Sequence, residues 1–354
     1  MTDLNKLIDR KEAVTLLFFM VIPQLLVDYI SYGISRHGSG YWINFIICSF
    51  FSFLLLYLIK KSFNKKLNVY VENSITEKII RFIFVFYIIS LTLYNFNVCS
   101  NATLSVTSKA FTKDIVLFLP IISAVICSVL GIEAISRLSY VIFYFTIGIV
   151  LFICFVTMKG WQVDNIYPIF GASKKTTFFD FTSCGMFLPL FSVYLIRENL
   201  SEPGKTFKLI QKALLYVFIF GLLLLVICIL SVPHPMINFY DFSLAAIFSA
   251  AKSSVFFHRF ELLLVFLLMV INTMSLSVGL YITSELFSDI TKSNDTRPYS
   301  ALVGCLLFYI SLTVTDLNMI FRFYICSSLL LYVFFIIKSC LLNVRHKNRK
   351  RLKH

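Results

Sequence analysis

Long apolar runs separated by short charged or Gly- and Pro-bearing stretches make up most of the chain. One membrane-crossing helix uses about 20 apolar residues. Runs of that order predict ten helices, over 13–34, 41–59, 79–108, 115–131, 138–157, 177–196, 210–231, 260–283, 299–315 and 319–341. The first run follows Lys6, Arg10 and Lys11 as a signal peptide would, but it lacks a small-residue cleavage site and leads into further runs, so it reads as a retained first helix. Two of the outside connections are longer than the other outside ones, 158–176 and 232–259. In the second, Phe242, Ala245, Ala246 and Phe248 share one helical face, which predicts a short amphipathic helix lying over the bundle as an outer lid.

Composition agrees with the pattern. Of 354 residues, 58% are hydrophobic and 14% charged, against about 25% charged in soluble domains. Residues 1–354 therefore read as one membrane domain, with no room for a large soluble catalytic domain. The chain contains no P-loop, G-x-S-x-G or H-E-x-x-H, so an enzyme is not expected. The nine cysteines lie in or beside apolar runs without C-x-x-C spacing and read as packing residues. The five histidines lack ligand spacing, so neither a metal site nor a cofactor is indicated.

The net charge of +14 matters through its placement. With the N-terminus inside, 23 Lys and Arg fall in inside segments and 8 in outside ones, which predicts cytoplasmic termini at both ends. The basic tail, 342–354, carries cations from Arg345 onward and reads as a topology signal that touches anionic lipid, with no nucleic-acid role.

Polar chemistry at mid-span points to a site. Pro23 and Gln24 lie near the centre of the first run, and Cys184, Gly185 and Pro189 near the centre of the sixth. Transporters built from two inverted five-helix repeats break their first and sixth helices at the midplane, where freed backbone meets the substrate. Here the repeats are 13–157 and 177–341. The third run adds Tyr94, Asn95, Asn97, Ser100 and Asn101, and the eighth adds Asn272, Thr273, Ser275, Ser277, Gly279 and Tyr281. Tyr94 with Val98, and Ser277 with Tyr281, are four apart and share a helix face.

These positions predict a pocket between the first, third, sixth and eighth spans, lined by Ile22, Pro23, Gln24, Tyr94, Val98, Cys184, Gly185, Met186, Ser277 and Tyr281, and suited to a small zwitterion. The plainer alternative is that the prolines only kink their helices, while Ser, Thr and Asn join neighbouring helices by hydrogen bonds. Asp28 is the carboxylate well within a span and a candidate for the ligand or coupling path; Arg322, Arg259 and Glu261 lie near span ends.

Several stretches resemble the membrane-embedded B subunit of bacterial endospore germinant receptors, within the amino acid/polyamine/organocation transporter superfamily. They are SRHGSGYWIN at 35–44, GIEAISR at 131–137, NIYPIFG at 165–171 and FHRFELLLVF at 257–266. The resemblance implies an all-α polytopic membrane protein with ten helices in an inverted five-plus-five, LeuT-like repeat. It further implies a subunit in the inner membrane of the spore that recognises a small germinant, often an amino acid, beside a larger A-type membrane subunit and a C-type lipoprotein. The first span departs from the family pattern in having MVIPQLL, with Pro23 and no Gly, at its centre. A secondary transporter for amino acids or amines, coupled to protons or sodium, is the competing reading. Such a carrier usually carries an acidic or hydroxyl cluster beside its broken helices, so a single mid-span carboxylate favours the sensor.

Overall fold

Backbone groups in hydrocarbon must pair within their own segment, so apolar runs of this length become helices. A computed structural model describes residues 8–64, 75–107, 111–169, 181–233, 236, 247, 260–293, 295–314 and 316–331. The elements are α1 (Arg10–Gln24), a π-helical turn (Leu25–Tyr29), α2 (Ile30–His37), α3 (Tyr41–Asn64), α4 (Ile75–Val106), α5 (Lys113–Leu130) and α6 (Ile132–Thr157). They continue with a 3-10 segment (Phe181–Tyr194), α7 (Thr206–Ser231), α8 (Phe260–Thr291) and α9 (Arg297–Thr313). A last described helix, α10, covers Leu317–Leu331. Among the described residues the only β pairing is one parallel bridge, Ile8 with Leu200.

Among the described residues, six stretches are long and apolar enough to cross a membrane: Arg10–Tyr57, Arg81–Val106, Lys113–Leu130, Ile132–Thr157, Pro203–Ser231 and Leu262–Thr291. The first holds two of the predicted runs, because helical backbone continues through a short 3-10 turn, Gly38–Gly40. Gly185–Tyr194 and Leu317–Leu331 are shorter apolar helices. The chain is thus an all-helical polytopic membrane protein. The lid predicted around Phe242 to Phe248 and the basic tail lie outside the described residues, Ile247 excepted.

Helix ends differ from the apolar runs for a simple reason. A helix continues past the hydrocarbon wherever its polar residues keep the i to i+4 pattern. So α8 runs to Thr291 instead of 283, and its 32 residues span about 48 Å against about 30 Å of hydrocarbon. Between α5 and α6 a single residue makes the turn, Gly131, with φ at +94°, a conformation that other residues rarely adopt. Beside it Arg137 pairs with Glu133 at 2.5 Å, and Ser136 donates to Glu12 of α1 at 3.1 Å.

The helix pair with the most extensive contact is α4 with α8. The two run antiparallel in steady register: Asn95 with Ser275, Ser100 with Asn272, and Arg81 donating to the Asp289 carbonyl. Small residues let the backbones approach. A Cβ on Gly279 would lie 1.7 Å from Thr92 Cγ2, so Gly279→Ala should destabilise the pair by about 1–3 kcal/mol. Thr92→Ser in the same chain deletes that methyl yet keeps the hydroxyl that bonds the Ile88 carbonyl, and should restore the melting temperature measured in detergent.

Other packing pairs α1 with the 181–194 segment and α3 with α7. It also matches α1 on α7 with α3 on the 181–194 segment, and α4 on α5 with α8 on α9.

Candidate functional site

Pro23 has no N–H for the Phe19 carbonyl, so the i to i+4 ladder is interrupted there. The interruption is absorbed by the π turn Leu25–Tyr29 that follows at once. The first span therefore stays helical through its centre, where the sequence predicts an open break. π turns of this kind are frequent at functional positions in helices. In the sixth segment the described backbone is 3-10 from Phe181 to Tyr194, with Pro189 inside.

Polar side chains from four helices converge beside these two irregular segments. Gln24 Nε2 donates to Asn95 Oδ1 at 2.8 Å. Asn95 Nδ2 in turn donates to Ser275 Oγ at 2.8 Å and to the Met20 carbonyl at 3.1 Å. One amide thus ties α1, α4 and α8 together, and all three side chains are fully buried. About one turn along, Asn272 Nδ2 donates to Ser100 Oγ at 3.3 Å. Within the π turn, Asp28 accepts a hydrogen bond from the hydroxyl of Tyr94, the residue before Asn95 on α4.

The sixth segment joins through its backbone. Tyr324 of α10 donates to the Gly185 carbonyl at 3.2 Å, and Tyr87 donates to the Leu188 carbonyl at 2.8 Å. Tyr94 and Tyr324 stack with ring centroids 5.3 Å apart. The Tyr29 hydroxyl reaches Gly185 so closely that a Cβ there would sit 2.7 Å from it.

Two buried acceptors in this seam lack a hydrogen bond among the described residues, Gln24 Oε1 and Asn272 Oδ1. Gln24 faces the Tyr324 hydroxyl, but that hydroxyl has one proton, and the Gly185 carbonyl receives it. Buried acceptors left unpaired cost about 1–3 kcal/mol each. The cluster as described contains one carboxylate, Asp28, and no Lys, Arg or His, so it offers acceptors to a ligand that brings donors or positive charge.

Of the residues predicted from sequence, Gln24, Tyr94, Gly185 and Asp28 take part in this network. Ile22, Pro23, Val98 and Met186 are buried on the same elements. Ser277 is buried and bonds the Thr273 carbonyl of its own helix at 2.6 Å. Tyr281 lies apart: its hydroxyl is 3.5 Å from Asn199 Nδ2, six residues and so about 9 Å along α8 from Ser275. The Cys184 side chain lies outside the described ones. Arg322 is exposed and takes no part in the cluster.

Tyr87, Tyr29 and Tyr324 were not among the predicted residues. For Tyr87 a signal exists, since it lies two turns from Tyr94 on one face of α4; for Tyr324 only the tertiary pairing reveals it.

Hydrogen bonds and ion pairs tie segments together at both ends of the bundle. At one end Ser39 Oγ donates to the Pro168 carbonyl at 2.7 Å, joining two of the family-like stretches, and Asn165 Nδ2 donates to the Leu230 carbonyl at 3.2 Å. At the other, the Ile8 N–H donates to the Asn199 carbonyl and the Ile8 carbonyl accepts from the Ser201 N–H, and Arg10 and Lys205 both pair with Glu202.

A family model described as Spore germination protein matches residues 8–340. No curated protein matches the chain.

Proposed function

From the premise that the chain belongs to the Spore germination protein family, a permease-like membrane family of receptor and transporter type, we propose that it is the ligand-binding membrane subunit of a nutrient-germinant receptor. It binds a small amine-bearing germinant such as an amino acid at the buried cluster of Gln24, Asp28, Tyr94, Asn95, Asn272 and Ser275, beside the Gly185 backbone. The observation that carries this reading is the pair of buried acceptors without a hydrogen bond among the described residues, Gln24 Oε1 and Asn272 Oδ1, in a seam whose one charged group among those residues is the Asp28 carboxylate. An ammonium group supplies three donors and the matching charge.

The proposed architecture is ten spans in two inverted repeats, with both termini cytoplasmic in the inner spore membrane. The packing pairs support it, because a two-fold exchange of the halves relates α1 on α7 to α3 on the 181–194 segment, and α4 on α5 to α8 on α9. The positive-charge bias supports the orientation.

The burial of the cluster and its single mid-span carboxylate support a sensor: ligand binding selects one conformational state, and A-type and C-type partner subunits read that shift. The test has two parts. Spores lacking this gene should fail to germinate on one member of an amino acid panel. The full chain in proteoliposomes should bind that radiolabelled amino acid without accumulating it. Accumulation driven by an imposed proton or sodium gradient would replace the sensor with a coupled carrier.

A further inference from the structure

One cavity stands apart from the polar cluster, and none of the cluster's residues line it. It is a groove of about 310 Å³ between α1, α6 and α7, with an entirely apolar lining. Phe18 forms the floor, edge-on to Phe143 at 4.9 Å and to Phe220 at 5.1 Å. Tyr216, stacked on Phe143 at 5.7 Å, stands on the rim with Leu151 and Ile219, and all three rim residues are exposed. The groove therefore opens sideways from the bundle, at the depth where a membrane helix meets hydrocarbon.

One end of the groove is polar and charged, with two lysines on α7 and the Asp9 carboxylate near Tyr140 on α6. On α7, Lys212 lies one turn before Tyr216, and Lys208 one turn before that; both are exposed on the same face. On α6 the Tyr140 and Tyr144 hydroxyls meet at 3.0 Å beside the groove, and Arg137 beyond them is already paired with Glu133. Apolar depth, then phenolic hydroxyls, then two lysines is the order in which a phospholipid presents acyl chain, ester and phosphate. Ordinary bilayer contact accounts for exposed Leu and Ile, but it does not call for an indentation floored by three phenylalanines below a lysine pair.

We propose that this groove seats one acyl chain of an anionic phospholipid, whose phosphate is held by Lys208 and Lys212 and whose ester region meets Tyr140 and Tyr144. The site presses on α1 through Phe18, two residues from the Met20 carbonyl that Asn95 engages. A lipid there thus bears on the helix that carries Gln24 and Asp28.

Native mass spectrometry of the full chain, released from detergent after addition of phosphatidylglycerol or phosphatidylcholine, tests this. Each lysine near a phosphate favours the anionic lipid about fivefold, so the wild-type chain should retain one phosphatidylglycerol with roughly 25-fold preference. Lys208→Ala with Lys212→Ala should abolish the preference while phosphatidylcholine is still retained. Ile219→Trp, and independently Leu151→Trp, should fill the groove and lose both lipids while the melting temperature holds. Equal retention of the two lipids by the wild-type chain, or undiminished phosphatidylglycerol on both Trp variants, would overturn the proposal. Neither outcome bears on the germinant site, which is tested by amino acid binding.

Discussion

Replacing Asp28 by Asn is expected to weaken binding of an amine-bearing germinant by about 100-fold, with little loss of folded protein. The carboxylate accepts the Tyr94 hydroxyl, and an amide oxygen accepts it as well, so the contact between the π turn and α4 survives the change. What disappears is the charge. A charge-assisted hydrogen bond in a buried site contributes about 1.5–3 kcal/mol, and at 1.4 kcal/mol per decade its upper part corresponds to about two orders of magnitude. Germination dose-response on the amino acid found by the nutrient panel reads the effect directly. A dose-response within twofold of wild type, at normal protein level, would remove Asp28 from the site.

Asn95→Leu should separate a ligand site from simple helix adhesion. Interhelical hydrogen bonds in membranes average about 0.6 kcal/mol, so the three made by Asn95 together contribute roughly 2 kcal/mol to stability. If adhesion were the whole role, thermal unfolding would drop by that amount and binding would follow only slightly. In the proposed site the variant also releases Gln24 and Ser275 from the positions that face the ligand, and sites built on buried polar groups lose affinity steeply when a partner is missing. The expected result is loss of measurable amino acid binding in proteoliposomes that still contain folded chain. Binding that persists within threefold of wild type would assign Asn95 to adhesion.

Apolar run length points to long helices, because hydrocarbon leaves a backbone no other option, and among the described residues six stretches are long and apolar enough to cross a membrane. Their ends were less legible: Ser284, Glu285, Ser288 and Asp289 read as loop, yet they continue α8. Pro23 marked the irregular turn correctly in position, but sequence cannot tell an open break from a π turn, since both answer the same missing donor. The polar cluster was half legible. Gln24, Tyr94 and Asp28 stand out as polar residues in apolar runs, and so does Asn95, whose three-way bonding depends on the register of α4 against α8. Tyr281 was placed at the pocket by its four-residue spacing from Ser277, but that spacing says which face a residue shares and nothing of how deep it sits. Tyr324 carried no local sign at all, because its partners are a backbone carbonyl and a ring on distant segments.

The parallel bridge between Ile8 and Leu200 changes the mechanics of the first span. It is reinforced by the Arg10 and Lys205 pairs to Glu202, and it fastens the start of α1 to the segment just before α7. At the far end, α2 leads through the Gly38–Gly40 turn, where Ser39 is tied to Pro168. A rod held at both ends responds to a push at its centre by flexing, and the place between the two tethers where the regular i to i+4 ladder is interrupted is the Leu25–Tyr29 turn. Asp28 sits within that turn and Gln24 at its edge, so a ligand bound at the proposed site would act at the elbow of the rod, and both tethers would receive the flexion as torque.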